Sequence, residues 1–150
     1  MKKRNIQKII EPIVRRPGCT SFAVIGDPGC EGLGTVMMKT YAGALEKAAE
    51  EDMILIAGDM VPVGDERHYK NICTLTESVA DKDVFVLRGN HDTGDYKAFF
   101  GLHDYAVIAE TFTIVVVDNA FRNFSDTGLA LLGRVLAMEE CENVVIAFHI

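Results

Sequence analysis

The sequence contains no tryptophan, and it has only four prolines and four cysteines in 150 residues. The cysteines lie far apart and form no C-x-x-C pair, which favours reduced structural thiols over a disulfide framework or a zinc knuckle. No apolar run approaches the roughly 18 to 20 residues that a membrane span needs. The N-terminus also lacks the apolar core of a secretion signal. We therefore expect a cytoplasmic protein.

Positive charge is scarce and unevenly placed. The chain has 15 basic and 22 acidic residues, a net charge of −7, which disfavours nucleic acid as a charge-driven partner. Six of the basic residues fall within the first 16 residues, against Glu11 alone. We predict a basic N-terminal extension over residues 1–18, which could contact an anionic partner but is more simply solvated. The sequence leaves the oligomeric state open.

Short runs rich in Val and Ile alternate with helical patterns along the rest of the chain. The apolar content of 49% can support one globular domain. The runs predict strands at 22–25, 53–57, 84–87, 105–109, 112–117 and 143–148, and the longer patterns predict helices at 35–51, 67–80, 94–102 and 127–140. The order β-α-β-α-β-α-β-β-α-β implies an α/β fold with a largely parallel sheet.

Polar side chains follow four of these strands directly. "FAVI" precedes Asp27, "MILIA" precedes Asp59, "VFVL" leads into "RGNHD" with Asn90, and "NVVIAF" precedes His149. The carboxyl ends of parallel strands share one edge of the sheet, which is where open α/β sheets bind ligands. Glycines just before Asp27, Asp59 and Asn90 let the chain turn sharply and approach a ligand. We expect the four side chains to converge.

These segments resemble the motifs of the calcineurin-like metallophosphoesterases over about residues 20 to 150. In that family a strand-end D-x-H, then G-D, G-N-H-D/E, a single His and G-H-x-H build a two-metal site. "GNHD" (89–92) matches fully, and "AGDMVPVG" (57–64) and "VVIAFH" (144–149) correspond to the second and fourth motifs. The resemblance implies an αββα sandwich, with helices outside two sheets, and metal-dependent hydrolysis of a phosphate mono- or diester substrate.

The resemblance also implies metal ligands. Asp27 would bind the first metal, Asp59 would bridge both, and Asn90 and His149 would bind the second. Two cations about 3.5 to 4 Å apart can hold a hydroxide and the substrate oxygens together. The mixed Asp, Asn and His ligand set favours Mn, Fe or Zn over calcium.

Two further residues of "GNHD" receive catalytic roles from the resemblance. His91 would stand near the leaving oxygen as a general acid or hydrogen-bond donor rather than bind metal. Asp92 would hold that imidazole in one tautomer.

The sequence departs from the family pattern at two places. Gly29 stands where D-x-H has its histidine, with Cys30 one position out of register, so the first metal would lose an imidazole. The sequence also stops at Ile150, before any G-H-x-H. We therefore expect residues 19–150 to be the N-terminal part of a metallophosphoesterase domain, truncated so that this chain holds an incomplete sandwich.

Two other functions remain open from the sequence. In the first, the fold is kept but catalysis is weakened, leaving a binding or scaffold module, as Gly29 would suggest. In the second, "GDPGCEGLG" (26–34) is a phosphate loop of a nucleotide-binding domain. That loop lacks the Lys-Ser/Thr of a P-loop and the G-x-G-x-x-G spacing of a dinucleotide site.

Overall fold

The computed structural model describes residues 5–149. All the predicted strands and helices are present in this range, and one strand is added before them. The elements are β1 (Ile13–Arg16), β2 (Phe22–Ile25), α1 (Val36–Ala48), β3 (Met53–Ala57), α2 (Glu66–Val79), β4 (Asp83–Leu87), α3 (Tyr96–Phe100), β5 (Tyr105–Ala109), β6 (Thr113–Val116), α4 (Asp126–Leu136) and β7 (Val144–Ala147).

The strands form two sheets. One has the order β2-β3-β4 and the other β1-β5-β6-β7. All neighbouring strands are parallel except β5 and β6, which follow each other along the chain and pair antiparallel. The predicted parallel character is therefore confirmed, but it is divided between two sheets, as the resemblance implied.

The two sheets pack face to face between layers of helix. On β3, Met53 and Leu55 belong to the apolar cluster between the sheets, whereas Ile54 and Ile56 belong to the cluster that contains α1 and α2. On the far side, α4 covers the four-stranded sheet through contacts such as Leu131. Strands with both faces covered read as continuous apolar runs, which is why the sequence revealed them so clearly. The αββα architecture is confirmed.

Three N-terminal caps fix where the strand-to-helix loops end. Thr35 caps α1, Asp65 caps α2 and Ser125 caps α4, each side chain accepting a hydrogen bond from a backbone N–H in the first turn. The loops between the strand ends and the helices are residues 26–35, 58–65 and 117–125. They leave the polar residues that follow each strand at one end of the sandwich.

The segment before β2 packs against both sheets instead of extending freely into solvent. Ile6 forms a parallel bridge with Val84 of β4, and β1 pairs with β5. Ile6 is fully buried and Ile9 is 4% exposed. The prediction of a solvated extension is wrong for residues 5–16, because apolar residues in this basic stretch reach both sheets. Residues 1–4 lie outside the described residues.

Two other expectations can be compared with the structure. All four cysteines are free thiols, and Cys19 and Cys30 are buried. Among residues 5–149, no helix combines the length and the hydropathy that crossing a bilayer requires.

The packing of the N-terminal segment can be tested with two isoleucines four residues apart. Ile6→Ala should lower the free energy of unfolding by about 2 to 5 kcal/mol, because it leaves a cavity beside β4. Ile10 is 76% exposed, so Ile10→Ala is the matched control and should change stability by less than about 0.5 kcal/mol. Urea denaturation measures both, and equal effects would contradict the packing described here.

Candidate metal centre

Three of the predicted ligands come together at the strand ends. Asp27, Asp59 and His149 each offer a ligand atom, and these atoms all lie within 4.8 Å of one another. His149 Nδ1 lies 3.6 Å from Asp27 Oδ1, and His149 Nε2 lies 3.4 Å from Asp59 Oδ2. The three residues follow β2, β3 and β7, so both sheets contribute to the cluster. Two carboxylates and an imidazole at this separation fit a divalent transition metal.

The imidazole of His149 is held by the backbone. Its Nδ1 lies 2.8 Å from the carbonyl oxygen of Ala57, the last residue of β3. A carbonyl can only accept, so Nδ1 carries the proton and donates it. The lone pair of the neutral ring is then on Nε2, the nitrogen nearest Asp59. Metal-binding histidines commonly show this arrangement, with one nitrogen on the metal and the other donating to a carbonyl.

Glycines allow the loops of the centre to approach each other closely. A Cβ on Gly58, where φ is 88°, would lie 2.6 Å from His149 Nδ1 and 3.0 Å from the Gly89 Cα. A Cβ on Gly89 would overlap the carboxylate and the backbone nitrogen of Asp59. Both positions therefore require glycine. The same lack of space explains why glycine precedes Asp59 in the G-D dipeptide and Asn90 in the G-N dipeptide.

Two of the candidate ligands have left-handed backbone. The φ angles of Asp27 and Asp59 are 45° and 49°, a region in which aspartate is one of the few tolerated non-glycine residues. The turn at Asp59 brings its side chain to the loop after β4, where Oδ1 accepts a 2.9 Å hydrogen bond from the His91 amide. The backbone conformation thus orients the carboxylate that the two loops share.

Asp92 is a buried link between the same two loops. Its side chain accepts hydrogen bonds from the Gly89 amide at 2.9 Å and from the Val61 amide at 3.3 Å. The residue has no solvent exposure. Burial raises the pKa of the Asp92 carboxyl to about 6, although the amides oppose the shift. At neutral pH the group is therefore an ionised acceptor that fixes the loops after β3 and β4.

The predicted contact between Asp92 and the imidazole of His91 is wrong. His91 is exposed, and its Nδ1 lies 3.0 Å from the carbonyl oxygen of Pro62. The carboxylate of Asp92 instead turns inward beneath the loop, because neighbouring residues in this turn point to opposite sides. Pro62 therefore orients the ring. A backbone acceptor leaves no side-chain signal in a sequence, so only the structure reveals this contact.

Asn90 lies at the rim of the cluster. It stands between Gly89, which contacts Asp59, and His91, whose amide binds Asp59, and its side chain is exposed. Its role as a metal ligand stays a prediction.

A comparison with protein-family models agrees with the fold and the motifs. The model of the calcineurin-like phosphoesterase family matches residues 20–140. The chain belongs to the calcineurin-like phosphoesterase family. No curated protein matches this sequence significantly. The matched range includes Asp27, Asp59 and "GNHD" but ends before His149, whose place beside the two aspartates rests on the geometry above and on its position after β7.

In this member of the calcineurin-like phosphoesterase family, the loop after β2 packs against the loop after β3 through backbone hydrogen bonds. The Gly29 amide donates to the Asp59 carbonyl and the Cys30 amide donates to the Met60 carbonyl, each at 2.9 Å. The Cys30 thiol is buried and donates to the Pro28 carbonyl at 3.5 Å, and burial raises its pKa to about 11. A neutral, enclosed thiol is a poor metal ligand, so Cys30 does not replace the imidazole that Gly29 lacks.

The assignment of His149 to the centre can be tested by metal titration. His149→Ala should weaken Mn²⁺ binding by more than about tenfold, because it removes the only nitrogen in the cluster. His103→Ala is the matched control, since His103 lies beside Asp118 and outside the cluster. Calorimetric titration measures both variants. Equal Mn²⁺ affinity in the two variants would remove His149 from the centre.

The role of Asp92 as a link can be tested by stability. Asp92→Ala should lower the free energy of unfolding by about 2 to 4 kcal/mol, because two buried amides lose their acceptor. Asp95→Ala is the matched control, since Asp95 is exposed and makes no capping hydrogen bond with its side chain. Denaturant unfolding should leave that control near the unmodified protein. A loss in Asp92→Ala no larger than in the control would refute the link.

Proposed function

We propose that this protein is a metal-dependent phosphoesterase that hydrolyses a phosphate mono- or diester with a metal-activated water. The observation that carries the proposal is the convergence of Asp27, Asp59 and His149 in a chain whose family acts on phosphoesters. Metal-assisted hydrolysis needs oxygen and nitrogen ligands around cations that stay accessible to substrate. Asp27 meets that need, since its side chain is 73% exposed while His149 is held inside.

The donor set fits divalent Mn, Fe or Zn, and we propose two such ions in the intact protein. Asp59 would be shared by both, Asp27 would hold the first, and Asn90 and His149 would hold the second. When bound, the metals supply a nucleophile at neutral pH and neutralise charge on the phosphoryl oxygens. The family requirement for metal agrees with this cluster of two carboxylates and one imidazole.

The role proposed for His91 is to donate a proton to the leaving oxygen. Its Nδ1–H donates to the Pro62 carbonyl, so the proton given to the leaving oxygen would be the second one, carried on Nε2 of the doubly protonated ring. Its amide is bound by Asp59 Oδ1, so the ring is anchored to the same carboxylate that belongs to the metal cluster. Asp92 acts on this step only indirectly, through the loop that it fixes.

The place of action that we propose is the cytoplasm. The four free cysteines suit a reducing compartment. The small molecule that we expect the protein to bind is a phosphate ester.

A second candidate function is a binding or scaffold module with weakened catalysis. Gly29 favours it, because the backbone of this residue donates to the Asp59 carbonyl at the position where the family pattern places an imidazole. Metal content separates the two functions. A phosphoesterase carries close to two transition-metal ions in the intact protein and hydrolyses esters, whereas a scaffold carries fewer and hydrolyses none.

The catalytic assignment can be tested with two substitutions in the metal-loaded protein. His91→Ala should reduce kcat for an aryl phosphate by about 10²- to 10⁴-fold with unchanged metal content, because only the proton donor is lost. Asp59→Asn should reduce both metal content and kcat. His103→Ala serves as the control and should retain both. Steady-state kinetics and elemental analysis provide the two measurements.

Two results would contradict the catalytic assignment. Full activity in both His91→Ala and Asp59→Asn would refute the roles given to these residues. A fully metal-loaded protein that hydrolyses no phosphate ester would favour the scaffold function.

A further inference from the structure

An ion pair joins the two sheets at the end that carries the candidate metal centre. Arg88 follows β4 of the three-stranded sheet, and Asp118 lies just after β6 of the four-stranded sheet. Because β6 runs parallel to β7, Asp118 is at the same edge as His149. Arg88 Nε and Nη2 donate to Asp118 Oδ1 and Oδ2 at 3.2 and 2.6 Å. The two side chains are 11% and 12% exposed, so the pair is a nearly buried fork between the sheets.

Asp118 is itself anchored to the elements around it. Its amide donates to Asp104 Oδ1 at 2.7 Å, directly before β5. Asp104 also accepts hydrogen bonds of 2.7 Å from the hydroxyls of Thr127 and of Ser125, the N-cap of α4. His103 Nδ1 stays 3.7 Å from Asp118 Oδ2, too far for a hydrogen bond, so His103 is not part of this link. The carboxylate that receives the guanidinium is thus tied to β5, β6 and α4.

The backbone of Arg88 continues directly into the "GNHD" turn. Gly89 is in contact with Asp59, because a Cβ at this glycine would overlap the Asp59 carboxylate. Asn90 and His91 follow, and the His91 amide donates to Asp59 Oδ1. A displacement of Arg88 therefore shifts the chain that carries a candidate metal ligand and the proposed proton donor.

Stability alone does not account for a buried ion pair at this place. Removing two charges from water costs free energy that their attraction often only balances, and apolar side chains of similar volume commonly give an equally stable fold. A guanidinium that donates two parallel hydrogen bonds to one carboxylate fixes both the distance and the orientation of its partner. An apolar contact fixes neither so strictly. The pair is therefore better suited to setting geometry than to adding stability.

We propose that Arg88 and Asp118 are positioning residues of the candidate metal centre. The inference rests on the proposed function, in which Asn90 and His149 hold the second ion. Asn90 follows a strand of one sheet and His149 follows a strand of the other, so their separation depends on how the sheets are joined at this end. The ion pair sets that separation, and it acts through the turn that carries Asn90 and His91.

A double substitution separates positioning from stability. Arg88→Met/Asp118→Leu removes both charges and keeps the side-chain volumes similar, so the urea midpoint should be no lower than in the unmodified protein. The Kd for Mn²⁺, measured by calorimetric titration, should rise about tenfold, because the support of the ligands is lost. At saturating Mn²⁺, kcat for an aryl phosphate should also fall while KM stays nearly constant. A purely structural pair would change the urea midpoint and leave the Mn²⁺ affinity of the folded protein unchanged.

The opposite end of β4 provides the matched control. Arg16 Nε donates to Asp83 Oδ2 at 2.6 Å, and this pair also joins the two sheets, since Arg16 ends β1 and Asp83 begins β4. In both pairs the guanidinium lies over a phenylalanine ring, 5.2 Å from its centroid for Arg16 and 4.9 Å for Arg88. Asp83 and Arg88 are about 17 Å apart along the strand. Arg16→Met/Asp83→Leu should therefore leave the Mn²⁺ affinity unchanged.

Arg88→Lys is a second variant in case the double variant does not fold. Lysine keeps the positive charge next to Asp118 but cannot form the fork. Its Mn²⁺ affinity should therefore be lower than that of the unmodified protein, although the charge of Asp118 remains paired.

Three results would overturn the inference. These are unchanged Mn²⁺ affinity in a folded Arg88→Met/Asp118→Leu protein, an equal loss of affinity in the Arg16→Met/Asp83→Leu control, and, if the double variant does not fold, unchanged affinity in Arg88→Lys. Hydrolysis of an aryl phosphate by the unmodified protein would leave the proposed function standing in each of these cases. Weaker Mn²⁺ binding in the double variant, with no hydrolysis by the Mn²⁺-loaded unmodified protein, would refute the proposed function while supporting the positioning roles.

Discussion

A buried carboxylate holds the candidate metal centre together. Asp92 lies between the loops after β3 and β4 and accepts amide hydrogen bonds from both. Removing a charge from water costs several kcal/mol, so the ion is tolerated only because those amides point at it. Asp59 and His91 belong to the joined loops and bind each other across them. The distance between Asp59 and His91 therefore depends on a residue that lies outside the candidate metal cluster.

The layered fold supplies the frame for this link. Parallel strands deliver Asp27, Asp59 and the "GNHD" turn to one end of the three-stranded sheet, and β7 brings His149 from the other sheet. The N-terminal segment runs across both sheets, bridging β4 at Ile6 before it pairs with β5 as β1. The cluster spans the sheet–sheet interface, so its geometry relies on the apolar packing between them.

Much of the fold could be predicted from the sequence, because strands covered on both faces are continuous apolar runs. Strand β1 was missed because "IVRR" has only two apolar residues and sits in a basic stretch. The convergence of Asp27, Asp59 and His149 followed from their positions after successive strands. The role of Asp92 did not, since a carboxylate next to an imidazole suggests a pair, while the turn places the two side chains on opposite sides.

The left-handed backbone at Asp27 and Asp59 lowers the stability of the fold at the two residues that form the candidate metal site. Each such residue costs about 1 kcal/mol or more, and without a cation the two carboxylates also repel each other. Asparagine accepts the same backbone conformation and carries no charge, so it would relieve the repulsion while replacing an anionic ligand by a weaker neutral one. Substitution of Asp27 or Asp59 by asparagine would therefore stabilise the fold while weakening the candidate metal site. A family member without selection for metal binding at these two positions could therefore become more stable and keep the same architecture.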